Sequence, residues 1–312
     1  MAEIVITEFM DQQAVDRLSE RFNTLYDPGL VEAPDRAPVE SCRALIVRNR
    51  TQVRGQLLER AARLEAVGRL GVGLDNIDLE ACAARNIEVL PATGANAVAV
   101  AEYVIAALLV LWRGAYGERT AMIEGAWPRQ QLIGREAAGK LLGLFGLGDI
   151  ARKVAKRARA LGITVQAFDP YLPKGDPAWE LAAYVDLDTL LATSDAISLH
   201  IPLTDETRGL FDAERLAAMK DGALLINTAR GGIVDEAALA ASIARTDGGL
   251  GGAALDVFES EPLSAEAGRR FEGLFNVILT PHIAGVTDES NERISALTAD
   301  NVERVLTRRS SA

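Results

Sequence analysis

The residues best suited to chemistry stand just after apolar stretches that are typical of β-strands. His200, Arg230, Asp256, Glu261 and His282 all follow such stretches, and the chain contains two histidines in total. Imidazole takes up and releases a proton near neutral pH, and a guanidinium can bind a carboxylate with two parallel hydrogen bonds. Because ligands bind beyond the carboxyl ends of parallel strands, we expect these groups to share one crevice.

A second pattern predicts a dinucleotide site. An apolar strand leads into Gly146 and Gly148, and Ala151 takes the place of the commoner third glycine before a basic helix at 152–160. Glycines permit the tight turn and the close approach of a pyrophosphate, and the new helix directs its free N–H groups at the phosphates. Asp169 follows the next strand, about 20 residues on, as expected of the acid that binds the ribose. The sequence Asp169-Pro170-Tyr171 offers no arginine for a 2′-phosphate, which favours NAD over NADP.

Composition limits the class of partner. The chain has 312 residues, a net charge of −11 and a pI near 4.9, which argue against nucleic acid or an anionic membrane surface as partner. Cys42 and Cys82 form no metal-binding or disulfide pattern, so we expect no metal and a cytoplasmic protein. The longest apolar run, 103–112, is about half the length needed to span a bilayer.

Alternating strand and helix patterns predict two α/β halves, each with a parallel sheet that is doubly wound. The helix 97–113 is unusually apolar, and we predict that it is a packed crossover between the two domains. The glycine-rich turn at 248–252 precedes a strand and therefore does not read as a second phosphate loop.

Four stretches carry a resemblance to a known family. They are Gly146–Ala151, Asn227–Asp235, Ala254–Pro262 and Thr280–Gly285, and with Gly71–Asp78 they spread over most of the chain. Together they resemble the signatures of the D-isomer-specific 2-hydroxyacid dehydrogenases. The resemblance implies a Rossmann NAD-binding domain at 97–283, inserted in a flavodoxin-like substrate domain at 1–96 and 284–312.

The resemblance also implies roles for individual residues. Arg230 would bind the substrate carboxylate, and His282 would be the acid/base with Glu261 as its partner. Glu261 is preferred to Glu259 because the acid of the family motif immediately precedes its proline. A carboxylate beside the imidazole would favour the imidazolium, which keeps a proton ready for a keto oxygen. The implied cofactor residues are Gly146, Gly148, Asp149, Ile150, Asp169, Ile201, Thr228, Ala229, Arg230, Asp256, His282 and Gly285, whereas His200 is expected to be structural or part of the cofactor wall.

Substrate choice is predicted from loops of the other domain. The resemblance implies that the backbone of Val72 and Gly73 contacts the substrate. Arg48, Asn49, Arg50 and Arg69 lie on loops of the same domain, and several arginines beyond Arg230 suggest a second anionic group on the substrate, either phosphonooxy or sulfonate. An alternative reading is that Arg50 and Arg69 are solvated surface charges.

Two substrates fit a second anionic group. Phosphoglycerate dehydrogenases share Val47-Arg48 and the 71–78 loop, whereas the stretches 46–53 and 285–291 look closer to sulfolactate dehydrogenases. We therefore expect oxidation of (S)-3-sulfolactate to 3-sulfopyruvate. Oxidation of D-3-phosphoglycerate, or reduction of another 2-keto acid, is the alternative.

Two readings of other kinds remain. An NAD-sensing binding module like the C-terminal-binding-protein corepressors would share the fold, but the chain has neither a basic targeting run nor a disordered tail. A formate-dehydrogenase-like activity would pair the histidine with glutamine, where this chain has Glu261. The apolar helix and the family resemblance also suggest a homodimer built on the nucleotide domain.

Overall fold

The computed structural model describes residues 2–310. The chain divides into two compact units, one of residues 1–96 with 286–312 and one of residues 97–285. We call them the first and the second unit. The chain passes from the first unit to the second after Asn96 and returns between Gly285 and Val286. The sequence analysis placed this return between 283 and 284, two residues earlier.

Every strand pair in the described part of the chain is parallel. The strands are β1 (Ile4–Ile6), β2 (Thr24–Tyr26), β3 (Ala44–Val47), β4 (Ala66–Arg69), β5 (Glu88–Pro91), β6 (Leu141–Phe145), β7 (Thr164–Phe168), β8 (Ala183–Tyr184), β9 (Ala196–Leu199), β10 (Leu224–Asn227), β11 (Gly252–Leu255) and β12 (Val277–Leu279).

Helices follow most of the strands, as parallel connections require. They are α1 (Gln12–Ser19), α2 (Gly55–Arg60), α3 (Leu79–Ala84), α4 (Ala97–Arg113), α5 (Arg119–Ile123), α6 (Asp149–Ala160), α7 (Leu187–Thr193), α8 (Ala213–Ala217), α9 (Glu236–Ile243), α10 (Ala265–Gly268) and α11 (Asp288–Ser310). Short 3₁₀ turns lie at Pro28–Glu32, Pro34–Arg36, Pro177–Glu180 and Arg269–Phe271.

The first unit is a five-stranded sheet in the order β2-β1-β3-β4-β5. This is the flavodoxin-like order, in which the direction of winding reverses between β1 and β3. One face buries Leu18 of α1 and Val302 of α11, and the other buries Leu57 of α2 and Cys82 of α3. Both faces are therefore covered by helices, as predicted for a doubly wound sheet.

The second unit is a seven-stranded sheet in the order β12-β11-β10-β9-β6-β7-β8. Counted along the unit, this is the Rossmann order 3-2-1-4-5-6 with one further strand, and its switch point lies between β6 and β9. Helices α4 and α6 cover one face of this sheet, and α7, α8 and α9 cover the other. The predicted fold class of both units is confirmed.

Helix α4 begins directly after the first crossing between the two units. It covers 97–113 as expected, but its buried side chains, among them Val104, Leu108 and Leu111, join the core of the second unit. It packs on α6 and on strands β10 and β11. The helix is therefore a core element of the second unit, and its role as a crossover between the domains stays a prediction.

Candidate active site

The turn between β6 and α6 is shaped to receive phosphate groups. Gly146 has a φ of +87°, and a Cβ atom there would lie 2.5 Å from the carbonyl oxygen of His200. Gly148 is the N-cap of α6, and no side chain caps this helix. By contrast, α1, α3, α7, α8 and α9 each begin with an aspartate that accepts hydrogen bonds from the first-turn amides. An uncapped start after a glycine turn fits a pyrophosphate.

Asp169 stands at the carboxyl end of β7 and links its own loop to the glycine turn. Its Oδ2 accepts a hydrogen bond from the N–H of Leu147 at 2.8 Å. Its Oδ1 accepts from the N–H groups of Tyr171 at 3.0 Å and Leu172 at 3.1 Å. Since a carboxylate offers about four acceptor positions, Asp169 keeps one that fits a ribose hydroxyl.

The loop after β10 carries Thr228, Ala229 and Arg230, and Asn227 shapes it. Asn227 Oδ1 accepts from the N–H of Ala229 at 3.0 Å, and its Nδ2 donates to the carbonyl oxygen of Arg230 at 2.9 Å. The hydroxyl of Thr228 is buried and has no hydrogen-bond partner within residues 2–310. A buried hydroxyl is normally paired, so this orphaned group fits a site that a polar ligand completes.

The remaining predicted cofactor residues lie near the same ends of the sheet. Asp149 and Ile150 form the first turn of α6, and Ile201 follows β9. Asp149 is exposed and forms an ion pair with Lys153. Gly285, the last residue of the second unit, comes shortly after β12.

His282 and Glu261 form a hydrogen-bonded pair beyond β12 and β11. His282 Nδ1 lies 2.7 Å from Glu261 Oε2, and the imidazole side chain is 41% exposed. With Nδ1 engaged by the carboxylate, Nε2 is the ring nitrogen that can face a substrate. The backbone of His282 has a φ of +56°, a left-handed conformation that is uncommon for residues other than glycine.

Arg230 belongs to the same cluster. Burial by itself raises the pKa of Glu261, but the hydrogen bond and charge of His282, the N–H of Phe258 and the charge of Arg230 together hold that pKa below its ordinary value. Phe258 donates to Glu261 Oε1 at 3.1 Å, and Arg230 Nη1 donates to the carbonyl oxygen of Ala229 at 2.6 Å. The structure thus brings Arg230, Glu261 and His282 together, with an imidazole hydrogen-bonded to the carboxylate and a guanidinium whose charge acts on it.

Asp256 organises the turn that carries the imidazole. It is 1% exposed, and its Oδ1 and Oδ2 accept from the N–H groups of Ile283 and Ala284, both at 2.8 Å. The N–H of His282 donates to the carbonyl oxygen of Asp256 at 2.8 Å. The left-handed residue is therefore held by its own N–H and by the N–H groups of the two residues after it, and these bonds offset the conformational cost.

Glu236 is a site residue that the sequence analysis missed. It is buried, and its Oε1 accepts from the N–H of Glu259 at 2.6 Å while its Oε2 lies 3.3 Å from Arg270 Nη1. Burial raises the pKa of Glu236, and the Glu259 N–H and the charge of Arg270 oppose the shift only in part. Glu236 thus fixes the loop that ends at Glu261. In the sequence it looks like an ordinary first-turn acid of α9, which gave no signal of this contact.

His200 has other surroundings. Its Nε2 lies 3.0 Å from the hydroxyl of Ser198, and burial lowers the pKa of the ring to about 4. The imidazole is therefore neutral near pH 7. This environment suits a structural side chain better than an acid/base.

Among the predicted substrate residues of the first unit, Arg48 and Asn49 lie on a loop built by Glu8. The buried carboxylate of Glu8 accepts from the backbone N–H groups of Arg48 at 2.9 Å, Arg50 at 3.3 Å and Thr51 at 2.9 Å. Asn49 is exposed. The sequence analysis missed Glu8, because an acid two residues past a strand resembles any loop residue.

The guanidinium of Arg48 is held in place from two sides. Its Nη2 donates to Asn291 Oδ1 at 2.6 Å, and its Cζ lies 5.3 Å from the centre of the Phe9 ring. Its Nε is buried and has no hydrogen-bond partner in the described part of the chain. Burial lowers the pKa of Arg48, and the charges of Glu8 and Tyr26 oppose that shift. Arg48 is thus a preorganised cation.

The other two arginines of the first unit bind protein groups. Arg50 pairs with Glu32 at 2.6 Å, and both side chains are exposed. Arg69 Nε donates to the carbonyl oxygen of Gly73 at 2.7 Å, and its Nη1 donates to that of Leu70 at 2.7 Å. Arg69 therefore shapes the loop that presents Val72, which is itself exposed.

No cluster of three or more histidine, cysteine or acidic side chains that could hold a metal ion occurs within residues 2–310. Cys42 and Cys82 are both buried and unpaired with each other. In the same residues, no helix combines the length and the apolar character that crossing a membrane requires.

Comparison with known proteins identifies the family. The model of the D-isomer specific 2-hydroxyacid dehydrogenase family, NAD binding domain, matches residues 105–284. An (S)-sulfolactate dehydrogenase of Chromohalobacter salexigens is 55% identical over 311 residues, which are 98% of this chain and 99% of that protein. A D-3-phosphoglycerate dehydrogenase of Synechocystis is 38% identical over 98% of this chain, which spans 54% of that longer protein.

A solved structure gives the same result. The D-lactate dehydrogenase from Aquifex aeolicus, complexed with NAD and lactic acid, superposes with a TM-score of 0.85 at 30% identity, covering 98% of this chain and 96% of that one. The fold and the glycine turn agree with these likenesses. The chain belongs to the D-isomer-specific 2-hydroxyacid dehydrogenase family and is an NAD-dependent 2-hydroxyacid dehydrogenase.

Proposed function

We propose that this enzyme oxidises (S)-3-sulfolactate to 3-sulfopyruvate. The observation that carries the reaction is the Glu261–His282 pair at 2.7 Å with Arg230 beside it. The name of the 55% identical relative supports the choice of substrate. The preorganised guanidinium of Arg48 supports a substrate with a second anionic group.

In this proposal each residue of the catalytic cluster has one task. Arg230 binds the substrate carboxylate through two parallel hydrogen bonds, which also orients the hydroxyl-bearing carbon. His282 accepts the hydroxyl proton at Nε2, since Nδ1 carries the proton shared with Glu261. The negative Glu261 then stabilises the imidazolium. When NAD is bound, its nicotinamide supplies the chemistry of accepting a hydride.

We further propose which residues hold the cofactor. The backbone of Gly146 and Gly148 and the first turn of α6 bind the pyrophosphate, and Asp169 binds the adenosine ribose. Thr228 fits a cofactor contact because its buried hydroxyl has no partner among the described residues. The full proposed set is Gly146, Gly148, Asp149, Ile150, Asp169, Ile201, Thr228, Ala229, Arg230, Asp256, His282 and Gly285.

For the distal sulfonate, we propose Arg48 as the principal cation. Its ring contact and its bond to Asn291 fix the guanidinium, whereas Arg50 and Arg69 already bind a carboxylate and carbonyl oxygens. Asn49, Arg50, Arg69, Val72 and Gly73 complete the proposed substrate-binding set, with the two arginines in secondary positions.

The experiment compares initial rates of NAD reduction for acids that differ in the distal group. The panel contains (S)-3-sulfolactate, D-3-phosphoglycerate, D-glycerate and D-lactate. We expect the highest kcat/KM for sulfolactate, and we expect Arg48→Gln to reduce this preference over D-lactate. A higher kcat/KM for phosphoglycerate would replace the substrate in the proposal, and no turnover of any of the four acids would contradict it.

A homodimer is also proposed, on the basis of exposed apolar side chains in and after α5. Ile123, Trp127 and Ile133 lie within eleven residues of each other in the sequence and are 71%, 77% and 73% exposed, and large exposed apolar groups are typical of interaction surfaces. Light scattering on the purified protein should give twice the chain mass, and Trp127→Ser should shift it toward the monomer. A monomeric wild-type protein would contradict this. The cytoplasmic location stays a prediction.

A further inference from the structure

A chain of three side chains reaches from helix α4 to the turn that carries His282. The hydroxyl of Tyr103 lies 2.6 Å from Thr280 Oγ1. Thr280 Oγ1 in turn donates to Asp256 Oδ1 at 2.6 Å. Neither Tyr103 nor Thr280 belongs to the proposed catalytic or cofactor-binding set, so these two short hydrogen bonds have no assigned purpose.

The direction of the two bonds follows from the number of protons. Asp256 accepts backbone N–H groups on both carboxylate oxygens, so it acts as an acceptor toward Thr280 as well. A threonine hydroxyl has one proton, and Thr280 donates it to Asp256. Tyr103 must therefore donate to Thr280. The state of Tyr103 agrees with this, because burial and the charge of Asp256 raise the pKa of the phenol more than the bond to Thr280 lowers it.

Counting donors shows what remains open on Asp256. Oδ1 accepts from Thr280 and from the N–H of Ile283, and Oδ2 accepts from the N–H of Ala284. A carboxylate has about four acceptor positions, so the described residues 2–310 leave one position open, on Oδ2. Because three fixed donors surround the other positions, the carboxylate cannot rotate without breaking at least one of these bonds.

We propose that Tyr103 and Thr280 are positioning residues, which hold Asp256 so that its last acceptor position on Oδ2 receives the carboxamide N–H of nicotinamide. This inference rests on the proposed assignment of Asp256 to the cofactor. The same carboxylate binds the turn of His282, whose N–H also donates to the carbonyl oxygens of Asp256 at 2.8 Å and Thr280 at 3.0 Å. One hydroxyl pair thus aligns the nicotinamide and the imidazole together.

The test compares two ligands that differ in the nicotinamide. NAD has the ring with its carboxamide, and ADP-ribose has the same pyrophosphate and riboses without it. Affinities of both ligands are measured by calorimetry for wild type, Thr280→Val, Thr280→Ser and Tyr103→Phe. Valine keeps the shape of threonine and removes the hydroxyl, whereas serine keeps the hydroxyl. Tyr184→Phe, on the exposed edge strand β8, is the matched control for loss of a phenol.

We expect Thr280→Val to weaken NAD binding about tenfold and to leave ADP-ribose binding within twofold, since a hydrogen bond to a charged group is lost. Thr280→Ser should restore NAD affinity to within about threefold, and Tyr103→Phe should weaken NAD alone by about threefold. Tyr184→Phe should change neither affinity. Should Thr280→Val fail to fold, Tyr103→Phe and Thr280→Ser decide the question.

Two results would overturn the inference alone. Equal weakening of NAD and ADP-ribose would show that the pair only supports the fold, and unchanged NAD affinity in Thr280→Val and Tyr103→Phe would show that Asp256 needs neither hydroxyl. A third result reaches further. If wild type binds NAD no more tightly than ADP-ribose, the proposed contact of Asp256 with nicotinamide is wrong, and the inference is overturned with it.

Discussion

The two histidines of the protein follow strands of the same sheet and differ in almost every other respect. His200, after β9, lies beside the hydroxyl of Ser198, and burial lowers the pKa of its ring to about 4. His282, after β12, is 41% exposed and binds the carboxylate of Glu261 at 2.7 Å. Its backbone is also left-handed, whereas that of His200 is not.

The difference agrees with the proposed role of His282 as the acid/base and with a structural role for His200. Burial lowers the pKa of the His200 ring to about 4 and so keeps that ring neutral over the physiological range. His282 instead has a carboxylate partner and an exposed face that leaves the ring accessible to a substrate. The cation Arg230 lies near the second ring's carboxylate, and its charge helps to keep that carboxylate negative.

The largest expected effect comes from replacing His282, compared with a separate replacement of His200. His282→Gln should reduce kcat by about 10²–10⁴-fold, the range typical for loss of a general acid/base. His200→Gln is the matched control and should reduce kcat less than about tenfold, because in the proposed mechanism the His200 ring neither donates nor accepts a proton. Steady-state rates of both variants measure this, and equal losses would remove the distinction between the two histidines.

The next effect concerns the cation beside the catalytic pair. Arg230→Lys should lower kcat/KM by about 10–100-fold, because an ammonium cannot bind a carboxylate with two parallel bonds. Arg215→Lys is the control, since Arg215 forms an exposed pair with Asp212. Kinetics with the 2-hydroxy acid give the comparison, and unchanged values for Arg230→Lys would show that another group binds the carboxylate.

A smaller effect is expected at the partner of the imidazole. Glu261→Gln removes the negative charge that stabilises the imidazolium, so reduction of the 2-keto acid, which needs a proton on the ring, should decline at a lower pH than in wild type. We also expect a loss in rate of about tenfold. The pH profile of kcat in the reductive direction tests this. A profile that keeps its shape and position would mean that Glu261 does not act through the ring.

The smallest effect is one of stability and concerns His200. Its pKa is lowered in the folded protein, so between about pH 6.5 and pH 4 the unfolded chain binds more protons than the folded one. Its contribution to the free energy of unfolding is therefore present at pH 7 and is lost as the pH falls, by about 1–2 kcal/mol at pH 5. Urea titrations at pH 7 and pH 5 measure the fall in the free energy of unfolding between the two pH values. This fall should be smaller for His200→Gln than for wild type. An equal drop would contradict the buried neutral ring.

Long periodic elements were predictable, and short ones were not. The pattern gave the bounds of α4 as the structure has them, because a long apolar face carries a strong signal. The three-residue β2 and two-residue β8 lack such a signal, and neighbouring strands stabilise them. Helix α6 begins at Asp149, three residues before the predicted start, because the residues after the glycine turn are already helical.

The sequence by itself determined the family, the cofactor and the order of the motifs along the chain, since glycine turns and strand-end residues depend on local backbone chemistry. Only the tertiary structure decided which acceptor each charged group meets. In the structure Glu261 binds the imidazole of His282, and the N–H of Glu259 donates to Glu236. Arg50 and Arg69 bind other groups of the protein, and Arg48 is fixed by its bond to Asn291. The reason is physical: a long charged side chain binds whatever partner the fold brings near, and sequence spacing does not encode that distance.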